Sequence, residues 1–408
     1  MRVLEHIQRG RAISLFLLVY GVVALYPGLR NLLLPLNEQL VQGQAYTEYN
    51  NYIIFKQSFW HLWQGQDLYA AYPAEHYDLF KYTPTFALLF APFACLPDAI
   101  GLMLWNAVNV LLPLWALARL IPGRGALLMA LCLFAIPEVL TSAFNSQSNG
   151  LVAGLLLVSL GDMQREHWGR ASWLIALSAT VKLFGVLFFA LYLWRWDAWK
   201  QWAKHASLAL LTLLLLPLAL GWDSLAQYRS YMDLLSHDHS GELKHSIFGW
   251  MQSWLGAIGV DAGFAHPGTK SLGLMLGLAL QLIPLFRGNW NKHLRPYAAS
   301  WLMFMVLFNH MAESASFVIA ILGIVLYLLH KAKEPLPTYS WGIWLAMSLL
   351  LFGTLLGPSD LYPKEWREFI VFTAQLKTFP VVMFWVLAWL DSIKKGPQME
   401  AFSNRSLD

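Results

Sequence analysis

The chain has 408 residues, of which 57% are hydrophobic and only 13% charged, about half the charged fraction of a soluble globular domain. Its mean hydropathy is +0.48, and apolar runs of roughly 17 to 25 residues recur from end to end, each long enough to cross a ~30 Å hydrocarbon layer. These values exclude a soluble domain, and the net charge of +4, carried mostly in short loops, fits the positive-inside pattern rather than nucleic-acid binding.

The expected fold is therefore an all-α polytopic membrane protein with about 10–12 transmembrane helices, a single integral membrane domain over 1–408. Hydropathy places spans near 12–30, 80–96, 99–120, 125–142, 149–162, 171–194, 205–222, 272–287, 297–310, 315–330, 340–356 and 377–392. The first apolar stretch is too long for a signal-peptide core and lacks a small-residue cleavage site, so it reads as a self-anchoring span. Cys95 and Cys132 lie inside apolar segments and read as small buried hydrophobes, not a disulfide framework.

Arg2, Arg9 and Arg11 before the first span and Lys394 and Lys395 after the last place both termini in the cytoplasm, with 393–408 as a tail. Three polar segments, 37–80, 223–271 and 357–376, then fall outside as the first, second and third outer loops. Strict alternation of the spans conflicts with this at Arg119, Arg124, Arg165 and Arg170, which it would also put outside. Re-entrant segments at 83–96, broken by Pro84, Pro92 and Pro97, and at 171–194, centred on Lys182, would remove the conflict.

In the first outer loop Tyr52, Phe55, Phe59, Leu62 and Trp63 share one helical face, with Asn50, Gln57, His61 and Gln64 away from it. This predicts an amphipathic helix on the membrane surface. Glu48 stands at its head, where a carboxylate is either a helix-terminal charge favoured by the macrodipole or a group held out for chemistry. Asp67, Glu75 and Asp78 follow as further loop acids. Tyr82, Thr83 and Pro84 mark the point of re-entry, as the mouth of a cavity or as an aromatic anchor beside a helix-starting proline.

The turn FNSQSNG contributes Asn145, Gln147 and Asn149, carboxamides that cap helix ends or hydrogen-bond a sugar or phosphate. Lys182 costs roughly 2.5 to 3.5 kcal/mol at the centre of a span, so it should face a cavity, suited to a lipid phosphate, or pair with a carboxylate. In SHDHSGELKHS, His237, Asp238, His239 and Glu242 match no standard metal spacing. No cofactor and no metal site are therefore expected, a divalent cation being a minor alternative, and Lys244 and His245 read as phosphate or hydroxyl contacts. In LFNHMAESASF, Asn309 ends a span, and His310 and Glu313, three apart, should share a helical face, for function or to bridge helices.

In order and spacing these segments resemble glycosyltransferase family 87 of the GT-C superfamily, the polyprenol-phosphate-mannose-dependent mannosyltransferase type. The resemblance rests on an acidic residue before the element Gly65, Leu68, Tyr69, then Tyr82 and Pro84 in YTPTFALLFAPFACLP. Gln147 and Asn149 follow in a Gly-Gln-x-Asn-like turn, then Lys182 and the aromatic-basic RWDAWK. Glu48 stands where the family usually has Asp, Ser146 where the turn usually has Gly, and Asn309, His310, Met311 where a Ser-Pro and histidine element is usual.

The resemblance implies a GT-C type fold and an inverting hexose transfer, with mannose as the expected sugar, from a polyprenyl-phosphate-linked donor to a lipid or glycan hydroxyl. The site would lie on the periplasmic face of a bacterial plasma membrane. Glu48, or alternatively Asp67, would be the general base. Lys182, Lys244, His245, Tyr82, Asn145, Gln147, Asn149, His310 and Glu313 would bind donor phosphate or sugar. The competing readings are a lipid-linked oligosaccharide flippase or transporter, with Lys182, His310 and Glu313 along its path, and a glycan polymerase or ligase.

Overall fold

The computed structural model describes residues 2–34, 37–41, 44–237, 243, 245–264, 266–287, 290–332, 339–356 and 361–394. Among these, seven helical stretches are long and apolar enough to cross a membrane, from Ile13–Leu33 to Lys364–Ile393. Shorter apolar helices, including Asn149–Gln164 and Trp168–Val181, pack between them. The chain is thus an all-α polytopic membrane protein, as its hydropathy predicts. One addition is a small antiparallel strand pair in the first outer loop, Asn37–Val41 with Gln44–Tyr46, too short for a hydropathy pattern to reveal.

Side-chain contacts sort the helix ends into two faces. At one, Arg124 Nη1 donates to Leu329 O at 3.0 Å and Arg295 Nη2 to Leu120 O at 3.1 Å. There too Lys331 and Lys394 share Asp391, and Arg195 pairs with Glu166. This collection of basic ends is the face that the charge rule assigns to the cytoplasm. At the other, Asn51 Nδ2 donates to Asn145 O, Asn149 Nδ2 to Ala315 O, and Gln227 Nε2 to Gln66 O. The outer loops meet here.

The charge conflict at Arg119, Arg124, Arg165 and Arg170 disappears because the first of two hydrophobic stretches does not cross, and the second crosses twice, which keeps the later helices in step. In the first, Thr83 caps Pro84–Leu89 by accepting from Phe86 N, and Ala91–Ala94 follows at once. Its far end returns to the surface helix Asn50–Trp63, where Tyr52 Oη donates to Phe93 O at 3.2 Å and Lys56 Nζ meets Asp98 at 2.5 Å. Both ends lie on the outer side, so this segment is re-entrant.

The stretch 171–194 is two arms. Trp168–Val181 rises from the cytoplasmic end and stops at Lys182, whose backbone is extended (φ −136°, ψ 118°). A 3-10 helix, Leu183–Ala198, then descends to Arg195, which is back beside Glu166. Gly185 permits the reversal, because a side chain there would collide with Ser178 and the backbone of Ala179. The expectation that Lys182 sits at the middle of one span is corrected accordingly. It stands at the tip of a hairpin, next to Thr180, whose carbonyl accepts from Thr83 Oγ1 at 2.7 Å. With these two changes the helix ends alternate cleanly between faces.

The surface helix Asn50–Trp63 also departs from expectation. Its apolar face packs on protein, Phe55 against Tyr82, Phe86, Phe90 and Trp105. Trp63 is exposed, while Asn50 and His61, expected on the wet side, are buried. The following loop causes this by folding over the polar face. Glu75 pairs with His61 Nε2 at 3.0 Å, Tyr72 stacks on the His61 ring, and Asn50 Oδ1 accepts from Tyr77 N.

Candidate functional site

The site assembles where the hairpin tip, the re-entry point and three outer connections converge. The 145–148 turn is built by its own sequence. Asn145 ends the helix Gly125–Phe144, and its carboxamide donates back to Thr141 O at 2.8 Å. Ser146 then takes a left-handed backbone, φ +49°, and its carbonyl accepts from the buried Trp105 Nε1 at 2.9 Å. A left-handed conformation favours glycine, which gives a physical reason for a glycine-type residue at this position. The chain re-enters at once as Asn149–Gln164, pressed so close to the helix Asp98–Leu120 that a side chain at Gly150 would strike Asn109 O.

The turn thereby presents Gln147 to Tyr82, whose hydroxyl donates to Gln147 Oε1 at 3.5 Å. Tyr69 Oη fixes the backbone of Tyr82, donating to its carbonyl at 2.8 Å. The Lys182 ammonium lies 5.7 Å from the Tyr82 ring centre, a cation–π contact. The carboxylate acting on Lys182 is Glu313, which also acts on Tyr82 and Tyr77. Lys182, Tyr82 and Gln147 thus form one polar group, with the Glu313 carboxylate within electrostatic reach of it.

Glu313 does not share a helical face with His310, as its spacing predicts. Residues 308–313 form a turn, in which Asn309 Oδ1 accepts from Met311 N and Asn309 O from Ala312 N. The asparagine satisfies groups that a continuing helix would have used, so the helix Trp290–Leu307 stops there. Glu313 and Ser314 open onto a cavity of about 670 Å³ lined also by His245, Gln252, Phe372 and Gln375. The His245 ring stacks on Phe372, and its backbone N–H donates to Ala312 O at 3.3 Å.

Glu48 lies just outside the surface helix, one residue before its N-cap Tyr49, so it is not a first-turn charge of that helix. It is half-buried, and its charge acts on Tyr77, which partial burial and the charges of Asp78, Glu313 and Glu48 push above the ordinary phenol range. Asp67 instead engages its own turn, accepting from Tyr69 N at 3.0 Å. Asn145 and Asn149 are held by helix-end and inter-helix bonds. His310 sits half-buried in the 308–313 turn. Lys244, with Asp238, His239 and Glu242, lies outside the described residues.

Two residues missed by sequence reasoning belong to this region. Lys377 Nζ meets Glu138 Oε2 at 2.7 Å and donates to Ser314 Oγ at 2.8 Å, with both members of the ion pair almost fully buried. Glu138, inside the apolar stretch GALLMALCLFAIPEVLTSAF, was the available signal, since a lone carboxylate in such a run needs a partner.

The fold is that of a polytopic membrane protein in which Lys182, Tyr82 and Gln147 converge at one set of helix ends. The family model described as glycosyltransferase family 87 matches residues 80–309, more than half of the chain, and the protein belongs to that family; it is a glycosyltransferase. Two solved structures are similar. The crystal structure of ArnT from Cupriavidus metallidurans bound to undecaprenyl phosphate aligns with TM-score 0.49 at 14% identity, covering 93% of this chain and 76% of that one. The apo form of ArnT from the same organism gives 0.48 at 13%, covering 95% and 78%. No curated protein matches the chain.

Proposed function

We propose that this glycosyltransferase moves a hexose, mannose in the first instance, from a polyprenyl-phosphate donor to a lipid or glycan hydroxyl on the outer, periplasmic face, with inversion at the anomeric carbon. The observation that carries the reading is the meeting of Lys182, Tyr82 and Gln147, under the charge of Glu313, at the point where the chain re-enters the membrane. A lipid-linked donor brings its phosphate to that depth from within the bilayer. The sugar then extends toward the outer loops.

In this mechanism the acceptor hydroxyl gives its proton to a carboxylate as its oxygen attacks the anomeric carbon. The bond between that carbon and the phosphate oxygen breaks, and the electron pair leaves with the polyprenyl phosphate. Lys182 stabilises the growing phosphate charge, with His245 as a second donor. Lys244 is retained in the same role from its place in the sequence. Gln147, Tyr82 and Glu313 hold sugar hydroxyls, and Asn145, Asn149 and His310 complete the binding set.

Glu48 is proposed as the base because it is close enough to act on Tyr77 beside Glu313 while being free of the turn bond that occupies Asp67. The test is transfer from undecaprenyl-phosphate-mannose to an alkyl mannoside, followed by mass spectrometry, with Glu48→Gln alongside wild type. Loss of transfer in a folded Glu48→Gln protein supports the assignment, and normal turnover removes it. Movement of the lipid-linked sugar across vesicles with no change in its mass would replace the transferase reading with the transporter one.

A further inference from the structure

Lys377 lies at the N-cap of Thr378–Ile393, in the third outer connection, a segment to which the mechanism above assigns no residue. Its ammonium is shared among Glu138 Oε2 at 2.7 Å, Ser314 Oγ at 2.8 Å and Ser314 O at 3.1 Å, and it lies 4.7 Å from the Phe317 ring centre. Glu138 is 2% exposed and Lys377 9%. Three points of the chain, on Gly125–Phe144, on the 314–316 turn and on the last helix, are thus tied by one cation.

The neighbouring residues act in the same sense. Thr378 Oγ1 donates to His245 O at 3.2 Å, which ties the second outer loop to the same point. Gln375, which lines the cavity beside Glu313, has a left-handed backbone with φ +45° although it is not glycine. Such a conformation is strained for a residue with a side chain and persists where surrounding contacts enforce it. The bonds of Lys377 and Thr378 supply that enforcement.

We infer that Lys377, with Glu138 as its counter-ion, is a positioning residue that fixes the Ser314 backbone and so aims Glu313 toward Lys182 and Tyr82. A buried ion pair is a poor source of net stability, because desolvation offsets the Coulomb gain. Its value here is geometric: Lys377 donates to both the carbonyl and the hydroxyl of Ser314, leaving the residue before it little freedom. The inference rests on the transferase reading for its kinetic consequence, but its structural consequence is independent of any reaction.

The test uses the full chain in lipid nanodiscs. Lys377→Met should lower kcat for transfer from undecaprenyl-phosphate-mannose about 10- to 100-fold, the scale of a misplacement near 1 Å, with KM for the donor within about twofold. Lys377→Arg should recover most of the rate. The double variant Glu138→Gln with Lys377→Met removes both charges and should restore the thermal midpoint but not kcat; recovery of kcat in it would make the pair merely structural and overturn the proposal.

A second readout needs no activity. With Cys95→Ser as background, the thiol introduced by Glu313→Cys is labelled from the outside with a charged methanethiosulfonate. Adding Lys377→Met should change the labelling rate several-fold, and Lys377→Arg should not; an unchanged rate in Lys377→Met overturns the inference. Were the wild type to transfer no mannose, the mannose-donor reading would fall while the labelling still decided this one.

Discussion

Arg195 Nη1 donates to Glu166 Oε1 at 2.6 Å across 29 residues of chain, closing the base of the hairpin that carries Lys182 at its tip. The two arms between these contacts are a helix and a 3-10 segment, so Lys182 is delivered to the outer cleft by paired rigid elements. It need not stretch there from a flexible loop.

That placement predicts the effect of Lys182→Met. If Lys182 stabilises phosphate charge in the transition state, kcat should fall by roughly 10²- to 10³-fold with the thermal midpoint little changed, and Lys182→Arg should retain part of the rate. Single-turnover transfer at saturating donor is the measurement. An unchanged kcat would remove Lys182 from the leaving-group role.

The carboxylates can be ranked by the same assay. Glu48→Gln is expected to abolish transfer, whereas Asp67→Asn is expected to keep turnover within about tenfold, since its oxygen serves a local turn that a carboxamide can also cap. The reverse order would move the base to Asp67.

Ser146 offers a stability test. With φ at +49° and no exposure, Ser146→Gly should change the unfolding free energy by about 1 kcal/mol or less, relief of strain offsetting the added chain entropy. Ser146→Val should destabilise by about 1–3 kcal/mol. Thermal unfolding followed by tryptophan fluorescence checks both.

The outer loop should respond to pH. Burial lowers the pKa of His61, against the opposing pull of Glu75, and burial also lowers that of His76. The opened loop therefore binds protons more readily than the docked one. The docking free energy is fully present above the ordinary histidine value of about 6.5 and is lost as pH falls from there toward the depressed values. Hydrogen exchange over residues 50–80 should therefore be faster at pH 5.5 than at pH 7.5, and equal rates would contradict it.

Much of this architecture was legible from hydropathy and charge, because a helix that crosses lipid must be apolar and its ends must obey the positive-inside rule. The Arg119 and Arg165 conflict even pointed to the two segments that turn back. What hydropathy could not show was depth: Lys182 lies at the centre of an apolar run in sequence, yet a backbone break places it at a tip. Periodicity misled at His310 and Glu313, since it assumes a helix that Asn309 terminates. It also put His61 and Asn50 on a wet face, because the cover supplied by Tyr72, Glu75 and Tyr77 comes from a loop without periodicity. The Glu138 and Lys377 pair joins residues 239 apart (377 − 138), a relation that no local pattern encodes.

The contacts of Lys377 and Thr378 also bear on biosynthesis. Chains are made from the N-terminus at about 5–20 residues per second, and Tyr82, Gln147 and Lys182 are inserted long before the last helix emerges. Until then Glu138 lies in lipid or protein without its cation, and the Ser314 turn lacks its anchor. The cleft is therefore completed from the C-terminal side, and a nascent chain stopped short of residue 377 would hold nearly every residue of the site without the tie that joins them.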